Sequence, residues 1–181
     1  MSGVVDRYRR FVVEGSPVAT GLLAVADAWA CTNPSAGRGL TVGLMHATRL
    51  RDALRAAPDD PRALAEKFDE ATEADVAPWY HAQIAADRAR FAQIEALREG
   101  REPTPPADEV SRGLASLFTA AVADPDVFRA ALEYVGTVTP IQEILRRPDV
   151  AQKIAAMEAS GGPAALEMPG PDRARLLELV G

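Results

Sequence analysis

Apolar residues recur with two different periods along this chain, and the change of period comes before residue 57. In the first part they fall in short runs. Tyr8 to Val13 mixes them with arginines and reads as a strand or the end of one, and Gly21 to Ala26 is an unbroken apolar run that suits a strand covered on both faces. Gly15-Ser16-Pro17 between them reads as a turn. From about Ala36 to Ala57 the spacing is helical: Leu40, Leu44, Ala47, Leu50 and Leu54 share a face, while Thr48, Arg49, Arg51 and Asp52 point away. That stripe predicts a helix packed on a core, with Ser35 as its N-cap. His46 lies between the two faces and reads as a packed or surface residue, not a base.

Asp59-Asp60-Pro61 predicts the next helix start, with an acid at the cap and proline in the first turn. Helical spacing continues from Ala63 to Leu97, through Leu64, Phe68, Ala71 and Val76, and then Ile84, Phe91, Ile94 and Leu97. Pro78 should kink this helix, because it lacks an N–H and crowds the preceding turn. Trp79, Tyr80 and His81 follow the kink, as an aromatic wall of a substrate pocket or, the preferred reading, as a core cluster filling the bend. Arg101 to Ala107 carries three prolines and reads as a stiff linker or corner. Short helices follow, with stripes at Val110, Leu114, Leu117 and Ala121; at Phe128, Ala131, Leu132 and Val135; and at Val150, Ile154 and Met157. Asp124-Pro125, Thr139-Pro140 and Arg147-Pro148 mark starts of these later helices. Ala159 to Gly170 reads as a mobile loop, and Pro171 to Val180 as a last helix whose Leu176, Leu177, Leu179 and Val180 should dock. The expected fold is mainly α with a short β portion near the N-terminus: a strand-loop-helix region over 1–57 and a helical region over 58–181.

Composition narrows the function. A length of 181 residues suits one domain, or one with an extension, and a net charge of -6 argues against a general nucleic-acid surface, which needs clustered cations. No apolar stretch reaches the length of a membrane span, and Asp6 to Arg10 interrupts any signal-peptide pattern, so a cytoplasmic protein is expected. The one cysteine, Cys31, permits neither an internal disulfide nor a thiolate zinc cluster. His46 and His81 are the only histidines, and neither has a second ligand at metal spacing, so no metal is expected.

The chemistry concentrates between the two periods. The apolar run ends in an acid, Asp27, and the following loop carries Asn33-Pro34-x-x-Gly37-x-Gly39-Leu40 before the first helix. Two glycines within three residues let backbone N–H groups approach a ligand, and the helix directs its partially positive end at the same place. A carboxylate beside a bare helix N-terminus can hold a molecule with hydroxyls at one end and an electron-rich group at the other.

Together, Leu23-Ala24-Val25-Ala26-Asp27-Ala28, this loop and the helix through Leu50 and Leu54 resemble the second flavin motif of FAD-dependent monooxygenases. That group includes aromatic hydroxylases of the p-hydroxybenzoate hydroxylase type, flavin halogenases and geranylgeranyl reductases. The resemblance implies that Asp27 binds the ribityl chain of FAD. It also implies that Pro34, Gly37, Arg38, Gly39 and Leu40 form the loop against the isoalloxazine ring, with the helix N-terminus facing the O2 edge. It assigns no catalytic acid or base. Two departures stand out: Ala26 occupies the place of the family's glycine, and the G-x-G-x-x-G unit for the ADP half of FAD does not occur. The implied identity is the C-terminal, flavin-contacting part of an α/β (α+β) flavoprotein, an FAD-dependent oxidoreductase or monooxygenase for a small organic substrate. Its partner would be the missing N-terminal FAD domain or another copy of this chain, pairing along the free edge of the Gly21–Ala26 strand, and alone it would bind FAD weakly or not at all. Two alternatives stay open: a corner whose glycines serve only packing, and a non-catalytic helical interaction or regulatory module.

Overall fold

The structure, a computed structural model, describes residues 6–31, 33–102, 104, 108–161 and 173–180. It is mainly helical with a small β portion near the N-terminus, as the spacing of apolar residues predicts. Strand β1 (Arg7–Tyr8) pairs antiparallel with β4 (Ala30–Cys31), setting Tyr8 opposite Ala30. Strands β2 (Val12–Val13) and β3 (Ser16–Pro17) form a hairpin. Its turn falls at Glu14-Gly15, both at positive φ (50° and 73°) as a type I′ turn requires, so Ser16 and Pro17 belong to a strand and not to the turn.

Gly21 to Ala26 forms no strand. The chain leaves the hairpin at Gly21 with φ 80°, Leu22 faces solvent, and Leu23 and Ala24 line a small crevice beside Phe68. An apolar run without alternation is satisfied by burial on a helix as well as in a sheet, and here the helix wins. The strand edge through which a second copy would pair is therefore not formed.

The helices are α1 (Gly39–Ala56), α2 (Pro61–Asp75), α3 (Ala77–Arg98), α4 (Glu109–Ala121), α5 (Pro125–Val135), α6 (Ile141–Leu145), α7 (Pro148–Ala159) and α8 (Arg173–Val180). The starts follow the local chemistry of the sequence. The Asp60 carboxylate accepts the Arg62 and Ala63 amides at 3.0 and 2.9 Å, and Asp124 accepts those of Asp126 and Val127 at 2.8 and 3.0 Å. In place of one kinked helix over 63–97, two helices meet at the fully buried Val76. Pro78 thereby stands in the first turn of α3, where no intrahelical hydrogen bond is lost.

The main core joins Trp79 with Leu117, Val127, Tyr134, Ile141, Ile144, Val150 and Ile154, and a smaller cluster joins Trp29, Val76 and Ala77; Val42 of α1 packs on both. The stripe expected to seat α1 points outward: Leu40 is 78% exposed and Leu44 60%. The face that is buried carries His46 and Ala53, with Gly43 close against Ala26. Small residues allow the close approach, and the leucines are left over. α5 is turned likewise, burying Val127, Ala130, Ala131 and Tyr134. Its Phe128, Leu132 and Val135 border an open groove of about 490 Å³ with Phe118 of α4 and Val122 just past its end. Phe91, Ile94 and Leu97 of α3 also face outward. Leu176, Leu177 and Leu179 of α8 stay exposed instead of docking, since Val150 and Ile154 of α7 already close the core. Most of the stretch from Ala159 to Gly170, and part of that from Arg101 to Ala107, lies outside the described residues. Among the described residues no helix is long and apolar enough to cross a membrane.

These faces make opposite demands on two leucines. Leu117→Ala, at a site with no solvent exposure, should cost about 2–5 kcal/mol in urea unfolding. Leu44→Ala should stay within about 0.5 kcal/mol. A large loss at Leu44 would mean that α1 seats its leucine face on the core after all.

Candidate functional site

Between β3 and α1 the chain makes two tight corners. The first is a single 3-10 turn over Ala26–Ala28, closed by the Trp29 amide on the Ala26 carbonyl at 2.9 Å. Ala26 has φ 53°, the left-handed region that glycine enters at no cost and alanine does not. Its amide donates to Nδ1 of His46 at 3.2 Å, while Nε2 of His46 lies 2.9 Å from the Thr72 hydroxyl, which itself donates to the Phe68 carbonyl at 2.6 Å. An imidazole that accepts an amide proton on Nδ1 carries its own proton on Nε2, so this ring is neutral with a defined tautomer. It is wholly inaccessible to solvent, stacked on Phe68 with centroids 4.7 Å apart and set against Trp29 edge to face at 4.7 Å. Burial pushes its pKa down to about 4.

The second corner is a 3-10 turn over Pro34–Ala36, with the Asn33 carboxamide oxygen accepting the Ser35 amide at 3.0 Å and Gly37 at φ 68°. α1 then starts at Gly39 with no side chain capping it, leaving its first amides for solvent or a ligand. Arg38 braces this corner against α5. Its guanidinium lies over the Tyr134 ring at 4.1 Å and 5.5 Å from the Trp79 ring centre, and Nη2 donates to the Tyr134 carbonyl at 2.9 Å. A second tie runs to α3, where Gln83 donates to the buried Asp87 at 3.0 Å and Arg90 lies 3.6 Å from Asp87 and 3.5 Å from the Ser35 hydroxyl.

The two corners enclose a cavity of about 290 Å³. That is just below the range of small-molecule pockets, about 300–1,000 Å³. Asp27, Pro34, Gly37, Arg38 and Gly39 all line it; Leu40 does not and faces solvent. Past the Val76 joint, Trp79 belongs to the core, as expected, and with Tyr80 it also lines the cavity. His81 stays exposed beside Tyr8, their ring centres 5.2 Å apart. Behind the wall Tyr8 packs on Trp29 and Tyr80 at 5.4 and 4.9 Å and donates its hydroxyl to Glu73; burial first, and that bond second, push the Tyr8 pKa up. Cys31 also borders the cavity, and among the described residues no cluster of side chains could hold a metal ion. Trp29, Val42, Gly43 and Gln83 also line the cavity and escaped the sequence reading. Gly43, a small residue inside a helix and close against Ala26, was the signal that could have revealed part of it.

Comparison with protein-family models, with curated proteins and with solved structures finds no match to this chain.

The first corner can be tested through its tightest contact, because a methyl group at Gly43 would stand 3.1 Å from the Ala26 methyl. Ala26→Gly relieves a left-handed alanine, about 1–2 kcal/mol, against about 0.4–1 kcal/mol of added unfolded-state entropy, so it should be neutral or stabilising. Gly43→Ala should fail to show the gain of about 1 kcal/mol expected inside a helix, and should recover it in the Ala26→Gly background. Thermal and urea unfolding of the cycle should give a coupling of about 0.5 kcal/mol or more. Additive effects would mean that the corner is loosely packed.

Proposed function

We propose that this pocket receives the isoalloxazine ring and ribityl chain of a flavin. The chain is then the flavin-contacting C-terminal part of an FAD-dependent oxidoreductase, a monooxygenase for a small organic substrate. The observation that carries the reading is convergence: Asp27, Pro34, Gly37, Arg38 and Gly39 line one cavity whose other walls include Trp29, Trp79 and Tyr80. The residues suit a planar heteroaromatic ring, with indole and phenol walls, backbone-only approach at the glycines, and uncapped amides at the start of α1 for an electron-rich edge. The left-handed φ of Ala26 supports the reading too, as the conformation that a glycine before the acid would serve.

Each residue has a task in this scheme. Asp27 accepts hydrogen bonds from ribityl hydroxyls, the Pro34–Gly39 loop and the first turn of α1 orient the ring, and the aromatic walls exclude water. A bound flavin would supply the redox and oxygen-transfer chemistry, and the protein the orientation. The ADP half does not fit: the described strands are short antiparallel pairs, with no glycine-rich turn after a parallel strand to hold a pyrophosphate. That half falls to a separate FAD domain. A second reading, a non-catalytic interaction module, is favoured by one observation only, the apolar groove between α4 and α5.

Flavin analogues separate the parts. Riboflavin should bind the isolated chain weakly, with Kd in the range of about 0.1–1 mM, and FAD should bind no more than about threefold tighter, because its extra half finds no partner. Asp27→Ala should weaken riboflavin tenfold or more, from the loss of about 1.5–3 kcal/mol of charged hydrogen bonding, and leave lumiflavin, which lacks the ribityl chain, unchanged. Fluorescence titration reads all three. Absence of saturable binding, or equal effects on both analogues, would overturn the reading.

A further inference from the structure

We propose that His46 is the positioning residue of this pocket: through the Ala26 amide its neutral imidazole holds the left-handed corner that presents Asp27, and protonation of Nδ1 releases that corner. The consequence for a ligand rests on the flavin reading; the consequence for the backbone does not.

His46 does not line the cavity, so whatever it does there passes through its neighbours. One is Ala26, whose side chain does not favour φ 53° and whose amide has Nδ1 as its acceptor. The other is Trp29, which packs against the imidazole in a T-shaped arrangement and lines the cavity. The ring itself cannot swing away. Thr72 holds Nε2, Phe68 covers one face, and the Phe68 carbonyl fixes the Thr72 hydroxyl as an acceptor toward the ring. Protonation would therefore set an N–H of the ring against the N–H of Ala26, with no acceptor for either.

Among the described residues no charge acts on this ring. On α2, Asp69 and Glu73 are engaged by Arg10 at 2.8 and 3.3 Å; on α1, Arg49 pairs with Asp75 at 2.6 Å; on the corner, Asp27 is exposed. Burial is the one cause that lowers the pKa of His46, to about 4 from the ordinary 6.5. The sign follows from that direction. The folded corner binds its proton less readily than the unfolded chain does, so its stability is fully present above pH 6.5 and is lost as the pH falls through about 4.

Amide NMR of the full chain from pH 7.5 to 3.5, with far-UV circular dichroism to confirm that the helices persist, tests the backbone arm. The Ala26 amide should titrate together with the His46 ring, with a midpoint near 4, both in the native chain and in Asp27→Asn, where the neighbouring carboxyl is gone. His46→Gln, whose carboxamide can accept and donate but cannot titrate, should abolish that movement. In the ligand arm, the ratio of riboflavin affinity in the native protein to that in His46→Gln, which cancels the protonation of Asp27 common to both, should fall about twofold by pH 4 and about fourfold by pH 3.5. If the variant does not fold, the wild-type ring and amide titrations decide alone: a shared midpoint supports the proposal, and a ring that titrates while the Ala26 amide stays still overturns it. An unchanged pH profile in a folded His46→Gln protein overturns it as well. Riboflavin that binds at no pH while the amide titrates would sink the flavin reading and leave the positioning role standing.

Discussion

An imidazole taken out of water must find an acceptor for one nitrogen and a donor for the other, and in this chain the two partners come from different segments. His46 on α1 takes the amide of Ala26 and gives its proton to Thr72 on α2, so three stretches of backbone are fixed by one side chain. Around that fixed point the aromatic rings find their places: Phe68 on one face, Trp29 at the edge, and Tyr8 and Tyr80 beyond Trp29. The ion pairs of the same region are of another kind. Arg49 with Asp75 also bridges α1 and α2, and Arg10 with Asp69 ties the segment between β1 and β2 to α2, yet both pairs are partly solvated, and pairs of that type contribute about 0–1 kcal/mol each. Position here is set by buried neutral hydrogen bonds, with charge at the margin.

What could be read in the sequence was what is decided locally. Asp60 before Pro61 and Asp124 before Pro125 cap their helices within three residues, and no distant neighbour is needed to make them do so. Which face a helix buries is decided elsewhere, and there the reading by leucines went astray on α1 and α5. Large apolar residues report how much surface a helix could bury, whereas Gly43, Ala53, Ala130 and Ala131 decide how near another element can come. The run from Gly21 to Ala26 failed for a related reason, since a segment of that length without alternation has no period to tell a sheet from a helix surface.

The site divides along the same line. Asp27, Pro34, Gly37 and Gly39 lie close together in the chain and converge because two tight turns leave them little choice. Trp79, Tyr80 and Gln83 reach the same cavity from α3, and only the joint at Val76 aims them there. Leu40 sits next to the loop in sequence but leaves the pocket as soon as α1 begins to turn.

The brace from Arg38 to Tyr134 spans 96 residues of chain. Closing a loop of that length is entropically more expensive than closing the short connection between α1 and α2, so helix pairing is expected to precede pocket closure as the protein folds. The same ordering governs opening from the native state. The segment around Pro34 to Arg38 is held by a few contacts, and its amides should exchange with solvent at a lower free energy than that of Leu117 in the core. The cavity can thus breathe while the helices behind it keep their places.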